Sequence, residues 1–123
     1  MLDDTLIDSV KGFLNKDEGR RLYETADVAS RMGPCLEIGS YCGKSALYLG
    51  AACRENNGIL FSIDHHRGSE EQQPGEGYFD PETYDPRSSM IDTLPVFRQT
   101  LFKAGLEGVV VPIAAQSAKV ARF

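Results

Sequence analysis

Apolar positions along the chain change period several times, and each change marks an element. Leu2, Leu6, Ile7, Val10, Phe13 and Leu14 recur at helical spacing and predict a short amphipathic helix over residues 4–14. Asn15 with Glu18 three residues on has the form of a capping box, and a second helix follows to about Met32, with Leu22, Ala26 and Ala29 on one face. Gly33-Pro34 stops it. Cys35 to Ile38 is short and apolar and predicts a buried strand; Gly43 to about Glu55 predicts a helix with a strip of small residues at Ala46, Gly50 and Cys53. Such a strip lets a helix backbone approach a sheet, which offsets the roughly 1 kcal/mol that a mid-helix glycine costs. Asn56-Asn57-Gly58 turns into Ile59 to Ile63, a nearly continuous apolar run of the kind found in a central parallel strand.

Residues 65–89 then lose all period and gather prolines, glycines and acids, with Tyr78, Phe79 and Tyr84 among them, the composition of either a functional lid or a disordered loop. From about Met90 the helical pattern returns with Ile91, Leu94, Phe97, Leu101 and Phe102, a start near Asp92 or Thr93 putting Pro95 in the first turns, and Gly105 closes it. Val109 to Ile113 predicts a third strand, placed at a sheet edge because Pro112 has no amide hydrogen to donate. Ser117 is expected to cap a last helix that begins with Val120, Ala121 and Phe123. The series β-α-β-loop-α-β-(α) is half of a doubly wound α/β sheet, and right-handed crossovers put its strands in the order 3-2-1. A fourth strand would pair with the free side of the first, so the expectation is the N-terminal half of such a fold, ending after the third strand.

Composition narrows the class. The 123 residues make one domain, 1–33 as N-terminal helices and 34–123 as a partial sheet with the long acidic loop 65–89. Hydrophobic residues are 41% and charged residues 25%, ordinary for a globular chain. A net charge of −5 argues against nucleic acid and acidic membrane surfaces as partners, and no apolar run reaches transmembrane length. The start, Met1-Leu2-Asp3-Asp4, is acidic where a signal peptide is basic. Cys35, Cys42 and Cys53 read as free thiols of a reducing compartment, the cytoplasm, and with His65 and His66 they show no metal-ligand spacing.

The candidate chemistry lies where the first strand meets the following helix, in Glu37-Ile38-Gly39-Ser40-Tyr41-Cys42-Gly43-Lys44-Ser45. Asp64 ends the next apolar run, about 20 residues beyond, the spacing of a nucleotide-binding βαβ unit. A dinucleotide loop needs a glycine where Tyr41 stands. A phosphate-binding P-loop needs one where Ile38 stands, although Gly43-Lys44-Ser45 fits its end and keeps it as a minor alternative. The third reading is Glu37-x-Gly39-x-x-x-Gly43, which resembles the first motif of class I S-adenosylmethionine-dependent methyltransferases.

The stretch Leu36 to Leu47 is similar to its counterpart in catechol O-methyltransferase and its small bacterial relatives, as is Phe102-Lys103-Ala104-Gly105-Leu106 before an apolar strand. Asp64-His65-His66-Arg67-Gly68-Ser69-Glu70-Glu71 resembles a branch of bacterial methyltransferases, and the likeness extends over about residues 15–120. It implies a Rossmann-like fold, S-adenosyl-L-methionine as cofactor and a small-molecule acceptor. It further implies that Glu37, Gly39, Ser40 and Gly43 line the methionine and ribose side of the cofactor, with Tyr41 beside them. Asp64 would take the ribose hydroxyls, His65 would flank the adenine, and Ala115, Gln116 and Ser117 would meet the adenine edge. Each of these residues also has a plainer reading: a glycine shaping a turn, an acid capping a helix, an exposed loop histidine. The family's acceptor-side residues and metal ligands lie on and after a fourth strand, so the resemblance assigns no catalytic residue and no metal here. The two readings carried forward are a methyltransferase of which this chain holds the cofactor half, and a non-catalytic assembly module pairing as a homodimer through the open edge of the first strand.

Overall fold

The computed structural model describes residues 2–122. Two helices open the chain, α1 (Asp4–Ser9) and α2 (Lys16–Ala29). The core unit follows as β1 (Cys35–Ile38), α3 (Lys44–Glu55), β2 (Leu60–Ile63), a hairpin of β3 (Tyr84–Asp85) and β4 (Met90–Ile91), α4 (Leu94–Ala104), β5 (Val110–Ile113) and α5 (Ser117–Val120). Asp3 caps α1 by accepting from the Thr5 amide at 2.9 Å. The capping box of α2 forms as its sequence implies, with Asn15 and Glu18 each accepting from the other's backbone. Thr93 holds the N-cap position of α4 without a side-chain bond, Pro95 sits in its first turn, and Gly105 ends it in the left-handed conformation.

β1, β2 and β5 form one parallel sheet in the order β1-β2-β5, with Cys35, Leu60 and Val110 in register across it. The expectation of three strands in the order 3-2-1 is corrected by the count: among the described residues there are five strands, and β3 and β4 pair antiparallel in a separate sheet. β3 lies within residues 65–89, where sequence period is lost, and β4 takes Met90 and Ile91, which the sequence pattern assigns to the following helix. The hairpin strands are two residues each, too short to show alternation, and 3-10 turns at Glu70–Gln72 and Pro81–Thr83 order the rest. Pro112 lies on the outer strand, where its position faces away from β2: the Leu60 and Asp64 amides donate to Val109 and Ile113, so the intervening residue points out of the sheet.

Both crossover helices lie on one side of the sheet, and that side is the core. Leu60 and Ser62 of β2 and Val110 of β5 are buried beneath α3 and α4 with Ala46, Leu47, Cys53, Phe97 and Leu101. Gly50 belongs to this contact: a Cβ there would stand 3.0 Å from Val110 and 3.1 Å from Leu106. α2 packs along the outside of α3. The other face of the sheet is uncovered over β1, while Ile63 at the end of β2 is buried. Leu36 and Ile38 are 60% and 66% exposed, and Val111 is exposed as well, although β1 reads as a buried strand in sequence. An apolar run tells how a strand is meant to be covered and not whether the cover is present.

Two further boundaries differ from the sequence pattern. α1 stops at Ser9, not at Leu14, because Val10 turns into extended backbone and buries its side chain, while Lys11 is drawn to carboxylates on a distant loop. Ser117 is the first residue of α5 and not its cap; Gln116 holds the cap position without a side-chain bond. Phe123, expected in that helix, lies outside the described residues.

Candidate functional site

The turn from β1 to α3 rises at the C-terminal end of the sheet, where strand ends and a helix N-terminus meet. Its backbone requires its glycines. Gly39 and Gly43 take φ values of 94° and 100°, and a Cβ on Gly43 would press on Thr100 at 3.0 Å and Phe97 at 3.2 Å. Around Gly39 the same test finds open space, because this residue borders a cavity. Between the glycines Tyr41 also adopts a left-handed backbone, φ 47°, costly for a bulky residue. The compensation comes from Asp64: its Oδ2 accepts from the Tyr41 amide at 2.8 Å and its Oδ1 from the His66 amide at 2.8 Å. Asp64 therefore staples the glycine loop to the end of β2. Thr100 fastens the loop to α4 by donating to the Cys42 carbonyl at 2.7 Å.

A cavity of about 480 Å3 opens over this loop. Of the sequence-derived site residues, Gly39, Ser40, Tyr41, Asp64 and His65 line it together. Glu37 does not. It is only 9% exposed and lies under the loop, where Ser45 donates to its Oε1 at 2.7 Å and its Oε2 has no partner. Burial raises its pKa above the ordinary carboxylate value, against the Ser45 hydrogen bond, which lowers it. Gly43 is likewise buried beneath the cavity and shapes the helix start. Gln116 lines a neighbouring cavity of about 410 Å3 that shares His65 and Gly68 with the first, while Ser117 lines neither. Ala115 is tied to the strand end by its amide, which donates to the Asp64 carbonyl at 3.1 Å.

The structure adds residues that the motif does not contain. Lys44 and Ser45 at the start of α3, Lys11, Phe13 and Leu14 from the segment between α1 and α2, and Ser69 and Gln72 from the acidic loop complete the walls. Gly43-Lys44-Ser45 was visible in the sequence as an anion-binding fragment, but no local signal connects residues 11–14 to a loop more than 60 positions away. His66 is the other unforeseen group. It is 2% exposed with φ 60°, its Nδ1 is 2.7 Å from Thr93 Oγ1, its ring tilts against Phe97, and its Nε2 has no partner. Burial lowers its pKa, against the Asp64 and Asp92 carboxylates, which raise it.

The cysteines are all free. Cys42, inside the glycine loop, is pushed up to about 11 by burial, so it is a neutral thiol near pH 7 and not a nucleophile. Among the described residues no three His, Cys, Asp or Glu side chains gather as a metal site, and no helix is long and apolar enough to cross a membrane.

The fold is similar to the cofactor-bound structure of Rv0187 from MTB, with a TM-score of 0.61 and 17% identity over 96% of this chain and 44% of that one. The SAH-bound methyltransferase PaMTH1 from Podospora anserina aligns at a TM-score of 0.49 and 15% identity, over 97% of this chain and 49% of that one. At such identities the likeness is one of fold, and the chain spans less than half the length of either structure. A sequence profile described as a methyltransferase domain matches residues 36–122, from β1 through the glycine loop, Asp64 and β5 to α5, and the chain belongs to that methyltransferase-domain family.

Proposed function

We propose that this chain carries the cofactor half of an S-adenosylmethionine-dependent methyltransferase of the catechol O-methyltransferase-like branch, acting on a small-molecule acceptor. The observation that carries the reading is the union of Gly39, Tyr41 and Asp64 at one cavity, in a chain of the methyltransferase-domain family. The donor set fits the cofactor. Each Asp64 oxygen accepts one amide hydrogen and keeps lone-pair capacity for the hydroxyls of a ribose. Gly39 leaves open space where the chain must come close to a ligand, and Lys44 brings a cation to the same cavity for a carboxylate. Bound there, the cofactor supplies a methyl group on a sulfonium, which an acceptor takes by direct displacement.

The residues of the chain bind and orient. Gly39, Ser40 and Tyr41 line the methionine side, Asp64 the ribose, and His65 the passage to the second cavity, where Gln116 meets the adenine and Ala115 and Ser117 flank it. Glu37 and Gly43 act from beneath, holding the loop in shape. Residues 1–33 and 34–123 work as one cofactor-binding domain. Orientation of this kind is the main contribution an enzyme makes to a displacement between two bound partners. The net charge of −5 supports a small acceptor over nucleic acid, and three free thiols support a cytoplasmic setting.

Isothermal titration calorimetry tests the reading. S-adenosylmethionine and S-adenosylhomocysteine are expected to release binding heat at one site, while NAD and ATP release none. Heat with ATP alone would move the assignment to the P-loop alternative.

A second reading has its own observation. The Cys35 and Gly39 amides donate to β2, so the amides of Leu36 and Ile38 point out of the free edge of β1, beside their exposed side chains. Such an edge suits pairing with a second copy of the chain as a homodimer.

A further inference from the structure

One wall of the cavity is not held by the glycine loop. Lys11, Gly12, Phe13 and Leu14 form it, and they belong to neither α1 nor α2. The segment hangs between two fixed points, the buried Val10 and the capped start of α2 at Asn15. It lies directly on α3, since a Cβ at Gly12 would stand 3.2 Å from Lys44 Cβ. Leu14 packs half-buried against the core, and the other holds come from the acidic loop. Lys11 Nζ pairs with the carboxylate of Asp80 and, at 3.0 Å, with that of Glu82. The Phe13 ring meets Tyr78 edge to face, with centroids 5.7 Å apart and planes at 85°.

The two sides of this contact differ in firmness. The loop is braced from within: the Tyr78 amide donates to Glu71 at 3.0 Å, Thr83 Oγ1 to the Asp80 carbonyl at 2.7 Å, and the Asp92 amide to Thr83 at 2.8 Å. Apart from Leu14, the segment is held by groups that water reaches: the Lys11 and Asp80 side chains are 33% and 27% exposed, and Glu82 is 78% exposed. Phe13 and Tyr78 are 76% and 60% exposed. Exposed ion pairs and rim aromatics are weak and, for the ions, salt-sensitive. A wall fastened this way opens far more readily than the rest of the cavity.

We propose that Lys11–Leu14 is a strap over the cavity, latched by Lys11 to Asp80 and Glu82 and by Phe13 to Tyr78, and that its opening admits and releases the ligand. The acidic aromatic loop is then the fixed half of a gate and the N-terminal segment the moving half. The identity of the ligand rests on the cofactor reading above; the latch does not.

Limited proteolysis of the ligand-free protein tests the latch. Chymotryptic cleavage after Phe13 and Leu14 is expected to run roughly threefold faster in Lys11→Ala, the effect of a weak ion pair. Raising salt from about 0.02 M to about 0.5 M should do the same in the wild type and nothing in the variant. Cleavage within α3 serves as the unchanged reference. Cleavage indifferent to both salt and Lys11→Ala would overturn the latch. Stopped-flow binding of S-adenosylhomocysteine tests the gate. Association and dissociation should quicken together in Lys11→Ala and in Tyr78→Ala, and unaltered rates would overturn the gating role. If S-adenosylhomocysteine does not bind the wild type at all, the cofactor reading falls and the gating role with it, while the cleavage result still decides the latch.

Discussion

Asp64 shows how much a single side chain can be asked to do. From sequence it is an acid at the end of a strand, read as a ribose ligand. In the structure one of its oxygens accepts the Tyr41 amide of the glycine loop and the other the His66 amide just beyond β2, so its replacement disturbs loop and ligand at once. Asp64→Asn turns one acceptor into a donor facing an amide N–H. We expect a stability loss of about 1–3 kcal/mol in urea unfolding, even without ligand. An unchanged midpoint would show that the staple contributes nothing. His66 makes a separate prediction. Its folded pKa lies below that of the unfolded chain because burial opposes the charged form. Its stability contribution is therefore complete above the unfolded value of about 6.5 and declines as pH falls toward the lower folded value. Glu37, with a raised folded pKa, acts in the opposite sense: it destabilises progressively as pH rises above its unfolded value. The comparison that isolates the histidine is wild type against His66→Asn, since asparagine tolerates the left-handed backbone at φ 60°. The variant should lose stability less steeply than wild type between about pH 7 and pH 5, read from urea midpoints.

At the scale of elements, close approach decides which helices can meet. α2 lies against α3 because Gly19 presents no side chain to Tyr48: a Cβ there would sit 2.3 Å from the buried ring. An aromatic ring cannot yield as a flexible chain end does. Gly19→Ala, which favours a helix intrinsically, should therefore destabilise the fold by about 1–3 kcal/mol. Adding Tyr48→Leu should recover part of the loss. Thermal denaturation of the single and double variants checks both signs. A stabilised Gly19→Ala would mean that α2 can shift without cost. The glycine is legible in the sequence, but its meaning is not, since Tyr48 lies 29 positions away on another helix. The strip at Ala46, Gly50 and Cys53 was readable because all its members share one helix.

For the whole molecule, the sheet has one covered face and one largely uncovered, and two unpaired edges, of which that of β5 carries Pro112 and that of β1 carries no proline. A parallel sheet is ordinarily buried on both faces. Leu36 and Ile38 put both kinds of incompleteness in the same place, with apolar side chains over the open face and amides along the open edge. We expect concentration-dependent association by analytical ultracentrifugation. Ile38→Pro should weaken it by removing an outward donor while leaving the β1–β2 bonds of Cys35 and Gly39 intact. Leu36→Lys should weaken it through charge. A monomer at all concentrations would end the homodimer reading.

Local physics determined a good deal of this protein from sequence alone. Periods of apolar residues, the Asn15–Glu18 box, Gly105 at a helix end and Pro112 at an edge are each decided within a few residues, so the elements and the character of the sheet could be read directly. The glycine loop and Asp64 were readable for the same reason, as a spacing within one βαβ unit. The tertiary structure alone decided the rest. It divided the motif, leaving Gly39, Tyr41 and Asp64 at the cavity and setting Glu37 and Gly43 beneath it. It turned a loop without period into a braced hairpin, and it ended α1 early so that Lys11 and Phe13 could reach the far side of the site. Those outcomes depend on contacts between residues distant in sequence, where burial and charge pairing outweigh local propensity, and no local pattern records them.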